Sequence, residues 1–210
     1  GGTGRADIVA TRLFDKRVFC MGDAVHRHPP TNGLGSNTSI QDAFNLCWKL
    51  SHVLRGKAGP ALLATYDEER APVAKQVVQR ANKSLGDFPP ILAALGLFDT
   101  QDPEQMQRNI SRLKEQSPEA QAQRAALRAA IDNTQYVYNA HGVEMNQRYR
   151  SAAIAADETP DPGFRRDAEL YHEHSSRPGA PVPHVWLTRH GRRVSTLDLC
   201  GKGRFSLLSG

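Results

Sequence analysis

The segment GDAVHRHPPTNGLGSNTSIQDAFNLCWKL, Gly22 to Leu50, limits what this chain can fold into more than any other. It follows Arg17-Val18-Phe19-Cys20-Met21, a short apolar run bounded by charge and glycine, which predicts a buried strand. His26 to Ser36 is rich in Pro, Asn and Gly and reads as a loop. Asn37, Thr38 and Ser39 can each cap a helix. From there Ile40, Ala43, Phe44, Cys47, Leu50, Val53 and Leu54 fall on one helical face, expected to point inward. Arg55-Gly56-Lys57-Ala58-Gly59 closes that helix with cations and glycine.

A strand, an acid at its carboxyl end, a glycine-rich turn and a helix start are the parts of a ligand site in an α/β fold. Ligands bind beyond the carboxyl ends of strands. Free backbone N–H groups at a helix start attract negative charge, and glycine lets backbone approach closely. A carboxylate such as Asp23 can accept hydrogen bonds from sugar hydroxyls.

Downstream the pattern is helical. Pro60 suits a first turn, with Leu62, Leu63 and Tyr66 packing inward. Pro72 predicts a kink or break, opening a new helix through about Asn82. Phe88 to Ile131 reads as further helices, punctuated by Pro89-Pro90, Asp102-Pro103 and Ser117-Pro118. Tyr136 to Ile154 is expected to hold a strand pair, and Asp157 to Pro183 is a linker by composition. HVWL and RVSTLDL predict strands about the turn His190-Gly191-Arg192. The boundaries expected are 1–85, 86–156, a linker over 157–183, and 184–210.

Composition excludes more than it assigns. Hydrophobic residues make up 39% of 210, enough to bury a core. No apolar run approaches the roughly 20 residues of a membrane span. The net charge of +5 comes from scattered basic residues such as Arg108, Arg124 and Arg150, so no nucleic acid partner is expected. Cys20, Cys47 and Cys200 form no CxxC; the first two read as small core residues, and a reducing, cytoplasmic setting is expected. The start without Met and the end at RFSLLSG suggest a piece of a longer protein.

Gly22-Asp23-Ala24, His26, Pro29-Pro30, Gly33-Leu34-Gly35 and Asn37, then Gln41-Asp42-Ala43-Asn45-Leu46-Trp48-Lys49-Leu50, resembles the second FAD-binding motif of class A flavoprotein aromatic hydroxylases. TYDEERAPVAKQVV is similar to the helix that follows it in that family, and HGVEMNQRYRS with the closing HVWLTRHGRRVSTLDLCGKGRFSLLSG resembles the phenol hydroxylase branch. The resemblance implies part of a Rossmann-like FAD domain, a helical region, and the start of a thioredoxin-like domain. It implies that Asp23 binds the ribityl chain, that Pro30 lies beside the isoalloxazine and the substrate, and that the N–H groups of Ser36 and Asn37 face the flavin N1–O2 edge. Gly22, Gly33 and Gly35 complete the implied cofactor set. The reaction implied is ortho hydroxylation of a phenol or chlorophenol to a catechol by FAD, NADPH and O2, in a protein able to form homo-oligomers.

Parts of that machinery are not expected here. GGTGRA is not a GxGxxG after a strand, so the first FAD fingerprint is missing, and no catalytic base can be assigned. The alternatives are a halogenase or epoxidase sharing the GD segment, or a truncated chain that neither binds FAD nor turns over.

Simpler roles stand beside these. Asp23 could cap a helix or pair with a cation. His26 and His28 could hold a metal, although no third ligand has a telling spacing, and loop packing is their plainer role. Asp42 reads as structural, or as a partner to a neighbouring group. Tyr66, Glu69 and Arg70 read as an intrahelical pair against a sheet rather than a catalytic set. Trp48 and Trp186 read as core; Asn146, Arg148 and Tyr149 could close the helical region against the linker.

Overall fold

The computed structural model describes residues 8–201 and 203–207, so GGTGRA lies outside the described residues. Two long helices form the spine. α1 runs Leu34–Leu54 and α2 runs Thr65–Leu85, joined by a 3-10 turn at Pro60–Leu63. Gly56, at φ 66°, turns the chain out of α1. A left-handed backbone there suits glycine, which has no Cβ to clash.

Two apolar clusters lie along this spine. Leu13, Val25, Leu46 and Tyr66 form one, and Leu34, Val73, Val77, Ala140 and Val143 the other. Each cluster draws on both α1 and α2. Tyr66 also donates its hydroxyl to Cys20 O at 2.8 Å, tying the spine to the segment before the glycine turn.

The described strands are short and pair antiparallel: β1 (Ile8–Val9) with β4 (His26–Arg27), β2 (Phe14–Asp15) with β3 (Val18–Phe19), and β5 (Trp186–Arg189) with β6 (Arg192–Ser195). The buried strand expected over Arg17–Met21 is therefore reduced to β3, with Val18 66% exposed. Lys16, at φ 52°, folds β3 back on β2, and Phe14 stacks on Phe19 at 5.1 Å. Local pairing with one hairpin partner leaves the other face open.

Pro72 does not break α2, which continues seven residues before it and thirteen after it. The helix loses one backbone donor there, but buries Tyr66, Glu69 and Arg70 before the proline and Val73, Ala74, Val77 and Val78 after it. The other prolines act as expected: α3 (Pro89–Ala94), α4 (Pro103–Arg112) and α5 (Pro118–Asn133) each carry proline in the first turn. Asp102 and Ser117 cap α4 and α5 by accepting from Glu104 N and Ala120 N.

The strand pair expected within Tyr136–Ile154 is absent among the described residues. α6 (Gln135–Tyr138) and α7 (His141–Met145) occupy its start. Backbones meet too closely for a side chain at Gly142, whose added Cβ would come within 2.0 Å of Ala168 O. Gly142 N instead donates to Glu169 O at 3.0 Å. Asn146 reaches Ala168 O and Tyr171 O, closing the helical region against the segment that follows, as one reading allowed.

At the far end, His190 and Gly191 turn with positive φ between β5 and β6. TLDL then forms α8 (Thr196–Leu199) rather than continuing a strand. The cause is local: Ser195 and Asp198 complete a capping box, with Leu197 N donating to Ser195 Oγ and Ser195 N to Asp198 Oδ2. Four residues expected in the core are not fully buried. Trp186 is 52% exposed, Trp48 is half-buried, and Cys20 and Cys47 are exposed.

Candidate cofactor site

α1 turns the opposite way from the expected one. Ile40, Phe44 and Leu54 are 67%, 75% and 83% exposed, and Cys47 lies on the same side. The buried residues of α1 are Leu34, Thr38, Asp42, Asn45, Leu46 and Lys49. Four of these six are polar, so apolar periodicity pointed to the wrong face.

Its start is also earlier than expected. Gly33 (φ 63°) precedes the first helical residue, Leu34, and no side chain caps the helix. Asn37, Thr38 and Ser39, the expected caps, turn back instead: Asn37 Nδ2 donates to Gly33 O, Thr38 Oγ1 to Leu34 O and Ser39 Oγ to Gly35 O. The first-turn N–H groups of Leu34, Gly35 and Ser36 therefore stand outside the helical ladder. They give this end a partial positive charge, which favours an anion by about 0.3–1 kcal/mol at an exposed site.

This helix start faces an open cavity of about 690 Å³. Asp23, Pro30, Gly33, Gly35 and Ser36 line it, joined by His28 and Ser39, which were not expected at the cofactor, and by Arg27, which carried no assignment from sequence. Asp23 sits in a 3-10 turn, Gly22–Ala24, rather than at a strand end. Its carboxylate is exposed, and among the described residues no group bonds it; only its backbone O accepts, from Arg27 Nε at 3.2 Å. Asn37 stands aside from the lining and is exposed.

The glycines differ in what demands them. Gly22 is buried at φ 59°, and an added Cβ would lie 2.7 Å from Ser39 Oγ. Gly33 needs its left-handed φ. Gly35 has neither constraint: a Cβ there would meet His28 Cε1 at 3.6 Å, an ordinary contact.

A free carboxylate, bare N–H groups and a rigid proline around one cavity suit a cofactor with sugar hydroxyls and an anionic ring edge. Residues 3–81 match the FAD binding domain family. The resemblance to class A flavoprotein aromatic hydroxylases holds. The chain is 91% identical over 97% of its length to 2,4-dichlorophenol 6-monooxygenase of Delftia acidovorans, covering 35% of that protein. It is 48% identical to phenol 2-monooxygenase of Pseudomonas sp. (strain EST1001), over 99% of this chain and 34% of that one. Among solved structures, the flavin-dependent monooxygenase PieE in complex with FAD and substrate superposes with a TM-score of 0.88 at 50% identity, over 93% of this chain and 34% of that chain. The chain thus spans about a third of the length of the curated relatives it matches.

Behind the Asp23 turn lies a buried ionic network held between α1 and α2. Asp42 Oδ2 accepts from Gly22 N at 3.1 Å and bonds His26 Nε2 at 2.9 Å, while Oδ1 accepts from Arg70 Nε at 2.7 Å. Arg70 extends the network, donating to Tyr149 OH (2.8 Å), Gln147 Oε1 (3.2 Å) and Gln41 Oε1 (3.2 Å). Burial pushes the Asp42 carboxyl up, but the bond to His26, the Arg70 charge and the Gly22 N–H together hold it below its ordinary value.

One helical turn pair further on, Glu69 Oε2 accepts from Lys49 Nζ at 2.7 Å and Asn45 Nδ2 at 2.6 Å, and its Oε1 from Ser151 Oγ at 2.8 Å. Burial pulls the Lys49 ammonium below its usual range against the opposing pull of Glu69. Glu69 and Arg70 are thus paired between helices, not within one. The sequence did carry a signal: Asp42, Asn45 and Lys49 recur at i, i+3 and i+7, a polar stripe on one helical face.

His26 Nε2 is taken by Asp42 and His28 Nδ1 bonds Pro29 O at 2.8 Å. Among the described residues no group of three His, Cys, Asp or Glu side chains could hold a metal, and no helix is long and apolar enough to cross a membrane.

Proposed function

We propose that this chain belongs to an FAD-dependent NAD(P)H:phenol monooxygenase that hydroxylates a phenol or chlorophenol ortho to its hydroxyl, giving a catechol. The observation that carries the proposal is the convergence of the unpaired Asp23 carboxylate and the uncapped start of α1 on one cavity. Likeness to relatives named for 2,4-dichlorophenol and phenol supports the substrate class over a halogenase or epoxidase. The oxidising and reducing equivalents would come from O2 and NADPH.

The donor set suits FAD. Asp23 accepts from ribityl hydroxyls, each charge-assisted bond contributing about 1.5–3 kcal/mol. The N–H groups of Leu34, Gly35 and Ser36 stabilise negative charge on the ring edge without reorganising, with Asn37 at the same turn. Gly22 and Gly33 shape the turns, Gly35 admits the ring, and Pro30 supplies a rigid wall beside ring and phenol. Bound flavin supplies electron transfer and oxygen activation.

We also read residues 1–85 as part of a Rossmann-like FAD domain, 86–156 as a helical region, 157–183 as a linker, and 184–210 as the start of a thioredoxin-like domain. A reducing cytoplasmic setting and a homo-oligomeric parent complete the reading. Gly1–Gly210 alone is expected to yield no catechol, because positioning supplies many orders of magnitude of rate and this chain covers a third of its relatives.

The full-length protein is the test. Supplied with FAD, NADPH, O2 and 2,4-dichlorophenol, it should give a catechol by chromatography, and Asp23→Ala should weaken FAD binding more than it lowers the unfolding temperature of the apoprotein. A product other than a catechol would reassign the reaction.

A further inference from the structure

We propose that His26 and Asp42, anchored by Arg70, are positioning residues that set the Gly22–Asp23 turn against the start of α1. The proposal rests on the reading of this cavity as an FAD site. Both flavin-facing parts hang on the Asp42 carboxylate. Gly22 N donates to it directly at 3.1 Å. α1 carries it two turns beyond the bare N–H groups of Leu34–Ser36.

The unit has little slack. Asp42 is 1% exposed, His26 1% and Arg70 0%. Asp42 receives one donor from each of three separate places: the Gly22 turn, β4 through His26, and α2 through Arg70. Gly22 lies close against α1, where an added Cβ would come within 2.7 Å of Ser39 Oγ, so only glycine fits this approach. Retreat breaks the bond to Asp42. The bond from Gly22 N to Asp42 thereby ties the Asp23 turn to α1.

His26 is specific in this role. Asp42, ionised and acting as acceptor, requires the proton on Nε2. The other nitrogen, Nδ1, is buried and has no partner among the described residues. One hydrogen bond therefore orients the ring, and through it the carboxylate. A pair kept only for stability would not need such an arrangement, since buried ion pairs contribute weakly to net stability. Positioning a cofactor does need it, because small misplacements near reacting groups cost large factors in rate and binding.

The test uses full-length holoenzyme variants. Glutamine can place its amide nitrogen near the His Nε2 position and donate to Asp42; leucine cannot. His26→Leu is expected to weaken FAD binding about tenfold or more and to shift the flavin absorption spectrum and midpoint potential. His26→Gln should restore affinity to within about twofold along with spectrum and potential. Asp42→Asn should exceed His26→Leu where it folds, and the His26 pair decides where it does not.

If His26→Leu lowers the unfolding temperature of the apoprotein but leaves FAD affinity, spectrum and potential unchanged, the positioning role is overturned. Asp23→Asn separates the two levels. Weakened FAD binding in Asp23→Asn with an unaffected His26→Leu removes the positioning role alone. Unchanged affinity in Asp23→Asn removes the cofactor reading, and this proposal with it.

Discussion

The two faces of α1 invert the usual pattern. The inward face carries Asp42, Asn45 and Lys49, all buried, and the outward face carries Ile40 and Phe44, both well exposed. Burying charge is costly unless each group is paired and hydrogen-bonded. Here each is: Asp42 by Arg70 and His26, and Lys49 by Glu69. Apolar periodicity shows that a helix has two faces. It does not show which one meets the rest of the chain.

The sharpest way to break this comparison is to remove one buried charge. Arg70→Met leaves Asp42 without its cation and should cost about 3–5 kcal/mol, read as a lower denaturant midpoint. Replacing Asp42 by Asn in the same chain should recover part of that loss. If Arg70→Met alone is neutral, the network is not what holds the inward face.

Lys49→Met should cost less, about 1–3 kcal/mol. Lys49 Nζ bonds Glu69, which keeps Asn45 and Ser151 as donors, whereas Arg70 also holds Gln41, Gln147 and Tyr149. A double-mutant cycle with Glu69→Gln would measure the coupling, and an additive result would show that the pair acts independently.

Acid should act in two windows. His172 lies below its ordinary value of 6.5 because of burial and the neighbouring His174 and His141. Its folded form resists protonation, so the stability it contributes is complete above 6.5 and is lost as pH falls through its lowered pKa. Asp42, held below its ordinary 3.8, contributes stability present above that value and lost as pH falls further. Thermal unfolding followed against pH should show both declines. Asp42→Asn should lessen the more acidic one, to which the lowered carboxyls of Asp157, Asp161, Asp167 and Glu173 also contribute, and leave the other.

The gathering of five expected cofactor residues around one cavity was legible from sequence, and most of the packing was not. Asp23, Pro30, Gly33, Gly35 and Ser36 share a cavity because a glycine turn before a helix start is a local device, specified by neighbours in the chain. The proline-led starts of α3, α4 and α5 were legible for the same reason. The Asp42–Arg70 and Lys49–Glu69 pairs join residues 28 and 20 positions apart. No local preference encodes which helix faces which. β3 failed similarly, since an apolar run of strand-like composition does not reveal whether its neighbour is a sheet or one hairpin partner.

The smallest effect is expected on the outward face. Phe44→Ser in this chain should change stability by no more than about 0.5 kcal/mol, because Phe44 is already 75% exposed. It should nevertheless reduce binding of an apolar fluorescent dye, since Phe44, Ile40 and Trp48 line an apolar groove of about 700 Å³ with Met145, Ile154 and Pro181. A loss of several kcal/mol would mean that this face is buried in solution.

The loop before α1 is closed by distant residues. Thr31 Oγ1 donates to Ala81 O, 50 positions on, and Asn32 Nδ2 donates to Tyr136 O and Val137 O, more than 100 positions on. Asn32 holds an uncommon φ of 68° between these anchors. In a chain made from its amino end, the loop that shapes the cavity can gain its Thr31 anchor once Ala81 has left the ribosome, but its Asn32 anchor only after Tyr136 and Val137 have followed. Local turns would fold early, and the last step of cavity formation would wait for the slow search that joins far-apart segments. Pulse-labelled hydrogen exchange during refolding should then show amides of 31–33 gaining protection with those of α6, after those of α1.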